Sequence, residues 1–304
     1  PHATHGNRSR PDDCMAFRSS IPPGLRRTAR AAYVEMGRRS AALRPHPDFM
    51  VIGTQRGGTT SLFRALEQHR QFIRPTLNKG VNYFDVEYDR DDAWYRGHFP
   101  TKALAGRRTD GLGEPRFFEA SGYYMFHPLA IERIAEDLPD VKLVAMLRDP
   151  VERAFSAWKH ESARGFETET FERALELEDE RLDGEIEAMR NDPSYQSFDH
   201  RHHAYRRRGD YAAQLQHVVD AFGRDHLHVV YSESFFERPA EEFGRLCEFL
   251  DASPPPSTVQ YDQHNARPST DMDDDTRAML REHFAPLDVA LTELVGERPP
   301  WSHD

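Results

Sequence analysis

Nine residues, Gly53-Thr54-Gln55-Arg56-Gly57-Gly58-Thr59-Thr60-Ser61, join two apolar runs and constrain the fold more than any other part of the chain. The run before them, Phe49-Met50-Val51-Ile52, is short, continuous and ends at a glycine, the pattern of a buried strand. The run after them, Thr59 to His69, places Leu62, Phe63 and Leu66 on one helical face. A strand, a glycine-rich turn and a helix start, in that order, form an anion cradle. The glycines let the backbone wrap the ligand, and the helix N-terminus adds N–H groups and a positive dipole end. Gly53 and Gly58 have the spacing of a Walker A loop, but Thr59 stands where its lysine would be, and the basic residue comes earlier, at Arg56. A triphosphate with Mg²⁺ needs that lysine. This loop suits a less charged group, held by Arg56, Gly57, Gly58, Thr59, Thr60 and Ser61 without a metal.

The same strand–helix alternation continues along the chain. Lys142 to Leu147 and His226 to Tyr231 read as buried strands, and Arg116 to Glu119 as a fourth. Pro128 to Leu138, Val151 to Arg164, Tyr211 to Phe222 and Ala240 to Leu250 have helical apolar spacing, and Pro150 suits the first turn of the second of these. Strands separated by helices predict an α/β fold, a P-loop-like three-layer α/β/α arrangement around a central parallel sheet. The acid-rich stretch Glu167 to Asp192 reads as a solvated helix or flap. With no repeat and no second composition regime, the expected organisation is a basic N-terminal arm over residues 1–45, partly helical or disordered, and one domain over 46–304.

Composition excludes several classes. The formal charge is -11, which disfavours a nucleic-acid binder. It is uneven: residues 1–44 carry nine arginines against Asp12, Asp13 and Glu35, a balance of +6, so the remainder carries -17. Two cysteines, Cys14 and Cys247, exclude a disulfide scaffold and a four-cysteine zinc site. No apolar run reaches the ~18–20 residues of a membrane span, and nothing near the start has the apolar core of a signal peptide.

A second motif carries chemistry. In LVAMLRDPVERAFSAWKH, residues 143–160, Arg148 ends a strand and Ser156 follows two turns into the next helix, a pair able to clamp one phosphate. Together with IGTQRGGTTSLFRAL, this segment resembles the sulfotransferases that use 3′-phosphoadenosine 5′-phosphosulfate (PAPS), above all the heparan-sulfate-type branch and its bacterial relatives. In that family the first loop holds the phosphosulfate, often with Lys at the place of Arg56, and residues matching Arg148 and Ser156 bind the 3′-phosphate. His160 shares a helix face with Ser156 and matches a histidine of the N-sulfating heparan enzyme. An imidazole suits removal of the acceptor's proton.

The resemblance weakens further along. NKGVNYFD, residues 78–85, matches a segment where the heparan enzymes carry a glutamate base, but Gly80 occupies that position, preceded by Lys79. FFEASGYY, residues 117–124, retains Glu119, a second candidate base whose bland role is hydrogen bonding to loop backbone; Gly122 replaces a usual proline. Gly209 and Tyr211 match a Gly-x-Tyr element, and Arg267, in HNARPSTDMD, matches a late loop closing over the donor.

The resemblance therefore implies in-line transfer of a sulfuryl group from PAPS to a hydroxyl or amine of a carbohydrate, glycolipid or natural-product acceptor, releasing 3′-phosphoadenosine 5′-phosphate (PAP). The candidate catalytic residues are Arg56, His160 and Glu119. The donor ligands are residues 56–61, Arg148, Ser156 and Arg267. The expected acceptor is a small molecule or glycan; no metal, nucleic acid or membrane span is expected, and the oligomeric state is open. A bacterial cytoplasmic setting is expected ahead of a Golgi-luminal fragment. A P-loop small-molecule kinase or NTPase, and an inactive nucleotide-binding relative, stand as alternatives. The basic patch His200 to Arg208 reads either as an acceptor groove or donor-facing wall, or as a solvated loop balancing the acidic helix before it.

Overall fold

The computed structural model describes residues 23–262 and 271–302. Five parallel strands form one sheet: β1 (Phe49–Gly53), β2 (Phe72–Ile73), β3 (Arg116–Ala120), β4 (Lys142–Leu147) and β5 (Leu227–Tyr231), in the order β2-β3-β1-β4-β5. β1 lies between β3 and β4, with Phe49 opposite Phe118 on one side and Lys142 on the other.

Every residue of β1 is buried, as a central strand with both faces covered requires. Alternate side chains divide between the layers. Met50 and Ile52 join Leu143, Ala145 and Leu147 against Ile131, Ile134, Leu215 and Val218, from helices Ala130–Asp137 and Tyr211–Phe222. Phe49 and Val51 join Val144 and Met146 against Leu62, Leu66, Phe243 and Leu246, from helices Thr59–Gln68 and Pro239–Phe249. Cys247 is buried in this second layer. The fold is thus the expected three-layer α/β/α with a parallel sheet.

The strand at Arg116 is present, and β5 starts one residue later than its apolar pattern, because His226 belongs to a short 3₁₀ turn. β2 was not anticipated: two residues are too few to show a period. The acid-rich stretch is not simply solvated. It forms helices Phe171–Leu182 and Glu185–Asn191, and Phe171 and Leu175 of the first pack with Phe155, Leu280 and Phe284 in a third apolar cluster. Asp273 caps the long helix Asp274–Val295 by accepting from Thr276 N–H at 3.0 Å.

The arginine-rich segment contains helix Pro23–Arg39. It lies on helix Asp92–Arg96, where a Cβ at Gly37 would fall 2.2 Å from the Gly97 carbonyl oxygen, and Arg38 pairs with Asp91. Tyr95 and Phe99 nearby are core residues. Among the described residues no helix is long and apolar enough to cross a membrane.

Candidate active site

The carboxyl ends of β1, β3, β4 and β5 open into one cleft of about 920 Å³, the position where open α/β sheets bind ligands. The loop after β1 passes through positive φ at Arg56 (69°) and Gly58 (92°). Glycine is required beside Arg56, because a Cβ at Gly57 would sit 2.5 Å from the Met146 carbonyl oxygen at the end of β4. Thr54 N–H donates to that same oxygen at 2.8 Å, seating the loop on the sheet. Gly58 is the N-cap of helix Thr59–Gln68 and supplies no capping side chain, so the helix start faces the cleft through its backbone.

β4 brings the second motif to the same place. Arg148 follows the strand, Asp149 caps helix Pro150–Ala163 by accepting from Val151 N–H at 2.9 Å, and Ser156 lies further along that helix. Arg56 Nε donates to Ser156 Oγ at 3.0 Å, joining the two motifs. Arg56 holds its left-handed backbone, uncommon for a residue with a Cβ, in this contact. Arg148 is fixed from behind: the Tyr211 hydroxyl donates to its carbonyl oxygen at 2.8 Å, and Glu233 Oε1 accepts from Asp149 N–H at 3.0 Å. Gly209 leaves room for the Phe284 ring and Pro150, which a Cβ would meet at 2.7 and 3.1 Å. The Gly-x-Tyr element therefore seats Arg148.

Arg56, Gly58, Thr59, Thr60, Arg148, Ser156 and His160 all line the cleft. Gly57 lies under it, and Ser61 is buried with its N–H on Gly58 O at 2.9 Å. Arg267 lies outside the described residues.

Glu119 is placed differently. It is fully buried on β3, and its carboxylate accepts from Val81 N–H at 2.6 Å, Tyr95 Oη at 2.7 Å and Tyr124 Oη at 3.1 Å. Burial pushes its pKa up to about 7 against the lowering effect of these donors. Its neighbours Ala120 and Gly122 face the cleft, but Glu119 does not line it. It fastens the segment after β2 to β3. Gly80 belongs to that fastening, since a Cβ there would lie 2.5 Å from Ala120 O. The glycine in place of the usual acid is thus a close backbone approach as well as a missing carboxylate.

Two contributors were given no individual role by the sequence, Lys79 within segment 78–85 and Arg208 within the basic patch. Lys79 lines the cleft and donates from Nζ to Thr59 Oγ1 at 2.9 Å. Arg208, almost wholly buried, donates to Gln55 Oε1 in the loop and to the carbonyls of His200 and Arg201 at 2.9 and 3.0 Å. Burial pulls its pKa down to about 10. The basic patch is mostly structural. Arg206 and Arg207 pair with Asp179, Glu178 accepts their backbone N–H groups, and His200 is buried against the Tyr123 hydroxyl at 2.7 Å. Among the described residues no cluster of three or more His, Cys, Asp or Glu is placed to hold a metal ion.

A family model for the sulfotransferase domain matches residues 46–267. The heparan sulfate glucosamine 3-O-sulfotransferase 3B1 of Homo sapiens is 30% identical over 204 residues, 67% of this chain and 46% of that protein. A bifunctional heparan sulfate N-deacetylase/N-sulfotransferase of Drosophila melanogaster is 27% identical over 233 residues, 72% of this chain and 20% of that protein. The chain therefore spans less than half the length of these curated relatives. A solved sulfotransferase from Alicyclobacillus acidocaldarius superposes with a TM-score of 0.61 at 30% identity, covering 83% of this chain and 97% of that one. The matched region contains both cleft motifs, the cradle after β1 and the Arg148–Ser156 pair after β4. The chain belongs to the PAPS-dependent sulfotransferase family.

Proposed function

We propose that this chain transfers a sulfuryl group from PAPS to a hydroxyl or amine of a carbohydrate, glycolipid or natural-product acceptor, in line and without a metal. The observation that carries the reading is the Arg56–Ser156 contact, which makes one cleft of two motifs a hundred positions apart. The residues fit the donor. The glycine cradle, the uncapped helix start and two arginines suit a phosphosulfate and a 3′-phosphate, and about 920 Å³ lies within the usual range for a nucleotide-sized ligand.

In this reading the backbone N–H groups and hydroxyls of residues 57–61 hold the 5′-phosphosulfate. Arg148 and Ser156 hold the 3′-phosphate; the donor role of Arg267, outside the described residues, rests on the sequence resemblance alone. Arg56 offsets charge growing on the leaving phosphate oxygen. His160 takes the acceptor's proton. Glu119 positions the segment after β2 rather than acting as base. The relatives named for heparan sulfate favour a sugar acceptor, and the bacterial relative of matching length favours a bacterial cytoplasmic setting. The test is thermal shift with PAP and with Mg-ATP, followed by transfer from labelled PAPS to a panel of sugar, lipid and phenolic acceptors. Stabilisation by PAP alone and a labelled product support the reading. Stabilisation by Mg-ATP alone overturns it, and PAP binding without transfer to any acceptor leaves a nucleotide-binding relative.

A further inference from the structure

The loop after β1 has no lysine, yet an ammonium reaches it from elsewhere. Thr59 occupies the sequence position of the Walker lysine, and Lys79, twenty residues on, donates to the Thr59 hydroxyl at 2.9 Å. The backbone around Lys79 is fastened to β3 on both sides. Lys79 O accepts from Ala120 N–H at 3.1 Å, Gly80 packs on Ala120 O, and Val81 N–H donates to Glu119. The Lys79 side chain is half-buried, lies with its Nζ 5.8 Å from the centre of the Phe63 ring, and lines the cleft. Among the described residues no carboxylate is within ion-pair distance of it. An ammonium held beside an anion cradle with a hydroxyl for a partner is arranged to meet an anion.

We propose that Lys79 is a catalytic residue of the transfer, bringing to the cradle from outside the loop a second cation beside Arg56. This rests on the donor site set out above. As the acceptor's lone pair forms the new bond to sulfur, the bond from sulfur to the bridging oxygen breaks. That electron pair stays on the phosphate of PAP, and the acceptor's proton passes to His160. Lys79 bears on the charge that gathers at the bridging oxygen, alongside Arg56. The site's condition agrees: burial, with Arg64 adding repulsion, brings the Lys79 pKa down to about 7, so a bound anion would draw a proton onto it.

The test uses the full chain and the variants Lys79→Met and Lys79→Arg. PAP binding is measured calorimetrically near pH 8 in buffers of different ionisation enthalpy, beside steady-state transfer from PAPS. The wild type is expected to take up a large fraction of one proton on binding PAP. Lys79→Met is expected to lose that uptake, keep PAP affinity within roughly fivefold, and lose roughly a hundredfold or more in kcat. Lys79→Arg is expected to recover part of kcat without the uptake, because arginine is already charged. If Lys79→Met is too unstable to assay, the arginine variant decides by kcat and PAP affinity, measured beside proton uptake. Unchanged kcat, unchanged uptake, or parallel loss of PAP affinity and kcat in Lys79→Met would overturn the proposal. A wild type that does not bind PAP would instead overturn the donor site itself.

Discussion

Arg56 Nε and Ser156 Oγ meet at 3.0 Å, so the residue proposed for the leaving group and a residue proposed for the 3′-phosphate share a hydrogen bond. Removing the hydroxyl therefore acts twice, on the ligand and on the loop. Ser156→Ala is expected to weaken PAP binding roughly 5- to 30-fold, about 1–2 kcal/mol, and to lower kcat as well. Arg148→Ala, which removes a charge-assisted donor, is expected to cost about 2–4 kcal/mol of PAP affinity with smaller effect on the loop. Calorimetric titration of PAP, paired with steady-state kinetics, separates the two; equal effects on binding and kcat for both variants would contradict the shared contact.

His160 lines the cleft four residues after Ser156, on the same helix face. His160→Ala is expected to leave PAP affinity within about twofold and reduce kcat roughly 10²- to 10⁴-fold. The measurement is steady-state transfer from PAPS beside calorimetric titration of PAP. Full activity in His160→Ala would remove the histidine from the proton path.

Glu119 gives a stability test with a definite sign. Its folded pKa is raised, to about 7 from an ordinary 4.5, with burial the largest cause. The folded chain therefore binds a proton that the unfolded chain has released between these values. The stabilisation is complete below about 4.5 and is lost as pH rises through about 7. Chemical denaturation of wild type and Glu119→Gln at several pH values should show the difference between them changing across that window. Glu119→Ala, which strands the Val81 N–H and two tyrosine hydroxyls, is expected to destabilise by about 2–4 kcal/mol below pH 4.5, and by less as pH rises through about 7.

Arg208 ties the first loop to the former basic patch through Gln55. Arg208→Met strands the carbonyls of His200 and Arg201 and is expected to cost roughly 3 kcal/mol of stability. Arg208→Lys recovers only part of this, because one ammonium cannot span three acceptors as a guanidinium fork does. PAP affinity should fall in both variants, since the loop loses a brace. An unchanged Tm would show that solvent replaces the buried contacts.

How far these features could be read in the chain depends on their range along it. The strand–loop–helix unit at 49–69 is local, and its glycines, hydroxyls and apolar faces declare it. β4 and its helix are equally plain, because Pro150 and the apolar run mark both ends. β2 escaped for lack of length. Glu119 was legible as a buried acid at a strand end, but its facing was not, because Tyr95 reaches it from twenty-four residues away. Lys79 and Arg208 act over twenty and 153 positions, and neither sits in a pattern that periodicity could detect.

The closeness of Gly80 to Ala120 O has a consequence for anyone re-engineering this cleft. The acid of the heparan-type enzymes cannot be returned by changing position 80 alone, because its first carbon already collides with the neighbouring strand. Residues 78–82 and 119–122 form one interchangeable module, to be grafted together or left in place together.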